Sequence, residues 1–266
     1  AVRVLAEVTG GAGDVGGVGT ATAYGASVTG DVAVESLMTS GRSRIDSNST
    51  TPRGVDVEGT NQVAGSTAGV LQLTQRAIGG DVTSTGSIEA RGGDARSVLD
   101  ASNPGGGGLV LLAEAIGGDG DSILVSGGHA HASAQGRGTG SSSVEVVARA
   151  RGGDGHPNSI LPYTPSPSSG GLATLGVVRG DSDDGGAVRV RGEVYGGNGS
   201  TREGAGSDAL LENAVDGSTT GFLTLEQLAV GGGGARSGTA VSRLDRSVST
   251  ERFSVVSDAR GGESLG

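Results

Sequence analysis

The sequence predicts an all-β protein, a parallel β-solenoid with two strands in each repeat and about eight repeats of about 36 residues. Three observations support this prediction. One alternating strand pattern occurs eight times, a turn of small residues follows each copy, and glycine accounts for 55 of the 266 residues. Residues 1–266 are therefore expected to form a single repeat domain, which could belong to a longer array.

The first strand of each repeat ends at an anchor residue, and the residues eight, six, four and two places before it are apolar or small almost without exception. The anchors are Gly10, Ser40, Gly79, Gly117, Gly152, Gly196, Gly231 and Gly261. The eighth-place column reads Val2, Val32, Leu71, Leu109, Val144, Val188, Leu223 and Phe253. Alternation with a period of two is typical of a half-buried strand.

The second strand is weaker and is built from very small residues, as in segments 20–24, 129–134 and 172–175. Gly-Gly-Asp-Gly turns at 117–120 and 152–155 separate it from the first strand, because glycine adopts the backbone angles of tight turns. With only five aromatic residues, the chain is expected to form a thin seam of small and aliphatic side chains between two sheets.

Charges at the third place before each anchor indicate how the strands are arranged. Arg76, Glu114, Arg149 and Glu193 alternate in sign if successive copies lie side by side in parallel. Two further neighbours agree, Glu145 with Arg189 and Arg191 with Glu226. An antiparallel meander would pair different columns, and coincidence among a small number of charges is the other alternative.

This charge ladder is expected on the exposed face of the sheet, with Glu114 between Arg76 and Arg149. Surface ion pairs contribute little, so Glu114→Ala should cost about 0–1 kcal/mol. Leu111, in contrast, is expected in the seam, where truncation to alanine costs about 2–5 kcal/mol.

Composition excludes several functions. A formal net charge of −10 without any lysine argues against nucleic acids and anionic membrane surfaces as partners. No apolar run approaches the roughly 20 residues of a membrane helix, and no signal peptide is recognised, although a leader could have been removed. The absence of cysteine excludes disulfides and thiolate metal sites.

Two motifs could hold a metal ion. Asp181, Asp183 and Asp184 place three carboxylates within four residues and are the candidate calcium ligands, with a solvated acidic loop as the alternative. His129 and His131 share one face of the second strand and could contribute to a transition-metal site, or simply face solvent. The sequence does not require a cofactor.

The turn that begins at Gly117 resembles the nonapeptide of calcium-binding β-rolls, although Ser122 stands where the ligand aspartate belongs. No nucleophile elbow, phosphate loop or catalytic histidine signature is found, so the chain is predicted not to be an enzyme. Asn48 and Asn198 begin glycosylation sequons.

The repeat style resembles glycine-rich bacterial surface proteins, namely filamentous-haemagglutinin-like adhesins and exosortase-sorted exported repeat proteins. Segments 129–140, 146–155 and 189–199 carry this resemblance. It implies a bacterial exported protein, extracellular or on the cell surface, with a scaffold, adhesion or matrix role. The alternatives are a carbohydrate-active β-helix enzyme, a calcium-binding β-roll-like module and an ice-binding array. An ice-binding array needs rows of threonines on one face, and Thr20 and Thr22 are not repeated at the matching place in later copies.

Neither end of the pattern shows a polar cap, which predicts self-association end to end in a filament, or coverage by neighbouring copies. Across such a junction Phe253 would meet Val2 and Val255 would meet Val4. Asp258 would approach Glu7, which is less favourable.

Overall fold

The computed structural model describes residues 1–46, 53–84, 88–122, 124–155, 168–201 and 203–264, and this part of the chain contains strands but no helix. It therefore holds no helix suited to crossing a membrane. The Asn48 sequon lies outside the described residues.

Twenty-one strands are formed in chain order. They are β1 (Val2–Thr9), β2 (Ala23–Ala26), β3 (Val32–Thr39), β4 (Ser43–Ile45), β5 (Val57–Thr60), β6 (Val63–Ser66), β7 (Leu71–Ile78), β8 (Val82–Ser84), β9 (Ala90–Arg91), β10 (Ala95–Ser102), β11 (Leu109–Ile116), β12 (Val125–Ser126), β13 (Ala130–Gly138), β14 (Val144–Arg151), β15 (Ala173–Ser182), β16 (Val188–Tyr195), β17 (Ala209–Glu212), β18 (Val215–Ser218), β19 (Phe222–Val230), β20 (Ala240–Arg243) and β21 (Arg252–Arg260).

The eight predicted strong strands form one parallel sheet in the order β1-β3-β7-β11-β14-β16-β19-β21. Their register is the one that the sequence columns predict: Leu109 pairs with Leu71 on one side and with Val144 on the other. The same column continues to Val2 at one edge and to Phe253 at the other. The prediction of parallel, in-register neighbours is confirmed.

A second, five-stranded parallel sheet has the order β18-β15-β13-β10-β5. Four two-stranded parallel sheets pair β9 with β12, β17 with β20, β2 with β6 and β4 with β8. One hydrophobic cluster lies between the large sheets and contains mostly Val and Leu from the first but a larger share of Ala from the second. A Cβ atom on Gly136 would lie only 2.8 Å from Val146 Cγ2, so glycine permits this close approach.

Two columns of turn residues meet beyond the strands, and we call them the glycine seam. The first column contains Gly80, Gly118, Gly153, Gly197, Gly232 and Gly262, and the second contains Gly93, Gly128, Gly171, Ser207 and Gly238. Backbone hydrogen bonds alternate between the columns, for example from Gly118 N to Gly93 O at 2.9 Å and from Gly128 N to Gly118 O at 2.8 Å. On the far side of the seam lies a small cluster formed by Ile45, Val82, Ala90 and Val125.

The predicted charge ladder is present. Arg76 Nε lies 2.8 Å from Glu114 Oε2, Arg149 Nη1 lies 3.3 Å from Glu114 Oε1, and Arg149 Nε lies 2.5 Å from Glu193 Oε2. Arg191 Nε adds a second contact to Glu193 at 2.5 Å. Burial alone would lower the pKa of Arg149, but the hydrogen bonds and charges of Glu193 and Glu114 raise it.

The expectation that these are surface pairs is wrong. Glu114 is only 6% exposed and Glu193 is 0% exposed. Each carboxylate lies between guanidinium groups, and the Tyr195 hydroxyl lies 3.4 Å from Glu193 Oε2. The long side chains of the ladder therefore cover its two glutamates. The loss of unfolding free energy for Glu114→Ala is no longer expected to be small.

A buried glutamine appears twice in the otherwise small or apolar fourth-place column. Gln75 Nε2 donates to Gly59 O at 2.9 Å, and Gln75 Oε1 accepts from Gln62 N at 2.7 Å. These bonds hold the backbone around Asn61, which has a φ of 50° and lies between β5 and β6. The same arrangement recurs at Gln227, which accepts from Ala214 N at 3.3 Å next to Asn213, whose φ is also 50°.

Candidate functional site

The Asp and Asn residues of the Gly-Gly-Asp and Gly-Gly-Asn turns form a column with a structural role. Asp81 Oδ1 accepts the Asp119 N–H at 2.9 Å, Asp119 Oδ1 accepts the Asp154 N–H at 2.7 Å, and Asp154 Oδ1 accepts the Asn198 N–H at 2.9 Å. Asn198 Oδ1 in turn accepts the Gly233 N–H at 2.7 Å. These side chains therefore hold one turn to the next.

Charge accumulates in this column because aspartates follow one another. Burial raises the pKa of Asp119, and the neighbouring charges of Asp154 and Asp81 raise it further, against a hydrogen bond from the Asp154 backbone. The side chain of Asn198 also donates from Nδ2 to Asp154 Oδ2 at 3.2 Å. The amide of this sequon is thus engaged within the fold.

The structure does not bring the three candidate calcium ligands together. Asp181 lies near the end of β15, where Oδ2 accepts from Arg179 Nε at 2.8 Å. Asp183 and Asp184 are exposed in the following turn. Among the described residues no three His, Cys, Asp or Glu side chains converge in a way that could hold a metal ion. The calcium site stays a prediction.

His129 and His131 line a groove of about 510 Å³ on the outer face of the second sheet, which we call the histidine groove. His129 Nδ1 accepts the Leu172 N–H at 2.8 Å, and His131 Nδ1 lies 3.0 Å from Thr174 Oγ1. Burial lowers the pKa of both imidazoles, and Arg91 lowers that of His129 further, as Arg96 does for His131.

His129 takes the place that aspartate holds in the preceding repeats. Asp56 Oδ1 accepts the Asp94 N–H and Asp94 Oδ1 accepts the His129 N–H, both at 2.7 Å. Elsewhere in this groove Arg96 Nη1 is paired with Glu58 Oε1 at 2.6 Å. Most polar groups of the histidine groove therefore already have partners in the protein.

A second cavity, which we call the polar groove, has a volume of about 450 Å³ and lies over β10, β13 and β15. Its polar side chains belong to Asp100, Ser102, Gln135, Arg137, Arg179 and Asp181. Strand register brings them together from three repeats, because Asp100 pairs with Gln135, which pairs with Arg179, while Ser102 pairs with Arg137, which pairs with Asp181.

The two arginines of the polar groove, Arg137 and Arg179, differ in their hydrogen bonds and ion pairs. Arg179 is bound to Asp181 at 2.8 Å and to Asp216 at 2.6 Å, and the hydrogen bond that it donates to Asp181 is the main reason that its pKa is raised. Arg137 is exposed and makes no ion pair or side-chain hydrogen bond with any residue in the described part of the chain. Its guanidinium donors are therefore available to a ligand.

The two edges of the eight-stranded sheet form a third candidate site. Positions that are buried in the central strands are exposed on β21, where Phe253 is 37% and Val255 is 40% exposed, and on β1, where Val2 is 37% exposed. Each edge strand pairs on one side only within the described sheet. These edges present both apolar side chains and unpaired backbone groups.

No protein-family model, curated protein or solved structure matches this chain.

Proposed function

We propose that the chain is a parallel β-solenoid with two strands per repeat that serves as a non-enzymatic structural or adhesive protein outside the cell. It would be a subunit or segment of a surface filament, matrix or adhesin stalk. The observation that carries the proposal is the unbroken register of eight parallel strands, whose core columns reach both open edges. Each repeat supplies one strand to that sheet. The chain then passes through the second strand of the repeat before the next copy pairs beside the first.

End-to-end continuation is supported by the chemistry of the two edges. The exposed column of β21 would place Phe253 against Val2, Val255 against Val4 and further small residues beyond them. An open strand edge offers hydrogen-bonding groups that another strand can complete.

The repulsion between Asp258 and Glu7 at such a junction is reduced by an ion pair within the protein. Arg260 Nη2 lies 2.7 Å from Asp258 Oδ2 and offsets its charge. The continuing strand could belong to the same polypeptide or to a second copy.

Analytical ultracentrifugation over a concentration series, with electron microscopy of the same samples, tests this proposal. We expect the sedimentation coefficient to rise with concentration and linear particles to lengthen. Val255→Lys, in the core column of β21, should abolish growth, whereas Val256→Lys on the opposite face of the same strand should retain it. A monodisperse monomer up to about 100 μM, or equal growth by both variants, contradicts the proposal.

The carbohydrate-active alternative rests on a different observation, the Asp and Arg side chains in the polar groove. An enzyme that hydrolyses glycosides generally uses two carboxyl groups, for which Asp100 and Asp181 are the candidates. Release of reducing sugars from polysaccharides, lost in Asp100→Asn, would favour this function over a purely structural one.

A further inference from the structure

We propose that the polar groove is a saccharide-binding site. Its binding groups are the side chains of Gln135 and Arg137 on β13, flanked by Asp100 on β10 and Asp181 on β15. Binding of a sugar is a function beyond the scaffold role. The groove also lies on the outer face of the second sheet, away from the edges of β1 and β21, so either proposal can fail alone.

The polar groove contains hydrogen-bonding groups that the fold leaves unused. Asp181 Oδ1 is buried and has no hydrogen-bond partner among the described residues, although Oδ2 of the same carboxylate is bound by Arg179. The side chains of Gln135 and Arg137 likewise make no hydrogen bond within the described part of the protein. A buried acceptor without a partner is costly, so a small rotation of the Asp181 carboxylate that turned Oδ1 toward a ligand donor would recover that cost.

The mixture of free groups identifies the ligand class. Arg137 offers only donors, the carboxylates of Asp100 and Asp181 offer only acceptors, and the Gln135 amide offers both. A simple anion would satisfy Arg137 but face two carboxylates, whereas a simple cation would face two guanidinium groups. Sugar hydroxyl groups both donate and accept, so neighbouring hydroxyls on one ring can satisfy both kinds of group.

The shape of the groove fits the same ligand. Its volume of about 450 Å³ lies within the range of roughly 300–1,000 Å³ that is typical of small-molecule sites. In register, Arg137 lies directly beside Asp181, and neighbouring strands are about 4.8 Å apart. That spacing lets adjacent hydroxyl groups of one pyranose ring reach both side chains.

The histidine groove on the same sheet is the internal contrast. There the acidic and basic side chains Glu58 and Arg96 bind each other, and both imidazole Nδ1 atoms have partners. The polar groove thus differs in having donors and acceptors that the fold leaves unused.

Titration of the ¹⁵N-labelled chain with cellotetraose and with tetragalacturonate, followed by NMR, tests the proposal. We expect saturable shifts on β10, β13 and β15 with at least one probe. Binding of the acidic probe alone would show that Arg137 selects a carboxylate, and binding of both would show recognition through hydroxyl groups.

Arg137→Ala and Gln135→Ala should each weaken binding at least tenfold. Both should keep a native spectrum, because neither side chain makes a hydrogen bond or ion pair within the described fold. Arg44→Ala is the matched control, since Arg44 on β4 is also exposed without an ion pair to a described residue, and it should bind like the original chain. Absence of saturable shifts with both probes, or unchanged affinity in a folded Arg137→Ala variant, overturns the proposal.

Discussion

The glycine seam and the charge ladder both connect each repeat to the next, but they do so with different parts of the chain. In the seam, backbone N–H and C=O groups of residues such as Gly118 and Gly153 bond across turns that side chains cannot enter. In the ladder, long side chains such as Arg149 and Glu193 meet above the sheet. The seam therefore depends on residues with little or no side chain, whereas the ladder depends on the order of the side-chain charges.

This contrast predicts different tolerance to substitution. A Cβ atom added in the seam meets backbone atoms that cannot move without breaking neighbouring turns. A changed charge in the ladder meets flexible side chains that can rearrange. The most sensitive positions of this protein should thus be the glycines of the seam.

The largest effect is expected for Gly153→Ala. The new Cβ atom would lie 2.1 Å from Gly118 O, so the variant should lose more than about 3 kcal/mol of unfolding free energy or fail to fold. Gly261→Ala is the control, because no atom lies within 4 Å of its Cβ position, and it should change stability by less than about 0.5 kcal/mol. Urea unfolding measures both. A loss below about 1 kcal/mol for Gly153→Ala would remove the distinction between seam and ladder.

A smaller effect is expected for Glu193→Ala in the ladder. The change leaves two guanidinium groups without their shared carboxylate, and we expect a loss of about 1–3 kcal/mol. Arg149 keeps its contact with Glu114, and both arginines are partly exposed, which limits the loss.

Glu212→Ala provides the exposed counterpart in the same unfolding experiment. Its carboxylate lies 4.0 Å from Arg243 Nη1, and their side chains are 62% and 69% exposed, so the cost should be about 0–0.5 kcal/mol. Equal losses for Glu193→Ala and Glu212→Ala would show that burial of the ladder carboxylates has no energetic consequence.

A small effect of the opposite sign, a gain in stability, is expected for Asp119→Asn in the turn column. Because the folded state raises the pKa of Asp119, ionisation of this residue opposes folding above that pKa. The asparagine keeps the Oδ1 acceptor, as Asn198 does naturally, so the variant should gain less than about 1 kcal/mol at pH 7. The gain should disappear as the pH falls through the raised pKa toward 3.8.

Asp208→Asn should behave in the opposite way. Hydrogen bonds from the Thr239 backbone and hydroxyl lower the pKa of Asp208, so its charge favours folding above the ordinary pKa and this contribution is lost as the pH falls. Thermal unfolding between pH 3 and pH 7 compares the two variants. A stability change of the same sign in both would contradict this assignment.

The eight-stranded sheet could be predicted from the sequence because its signals are local and repeated. The alternation before each anchor gives the strand, and the signs at Arg76, Glu114 and Arg149 give the register. Burial of Glu114 could not be predicted in this way, since a period of two separates the faces of a strand but does not show how deeply neighbouring side chains cover them.

The seam and the polar groove depend on contacts between residues from different repeats. The anchors Gly117 and Gly152 align Gly118 with Gly153, but they do not indicate how closely Gly118 O approaches Gly153. Nothing next to Arg137 in the sequence indicates Asp181. The buried glutamines did leave a signal. The pattern Asn-x-Val-x-Gly-Ser-Thr begins at Asn61 and again at Asn213, and a glutamine follows fourteen residues later in both cases.

The constant register of the eight-stranded sheet also gives the protein a unit of length. The anchors lie 30 to 44 residues apart, yet each interval adds one strand to this sheet. With neighbouring strands about 4.8 Å apart, eight strands extend the sheet by about 34 Å. The length of the sheet across its strands therefore depends on the number of repeats and not on the number of residues. A longer loop changes the surface of the protein without changing this length.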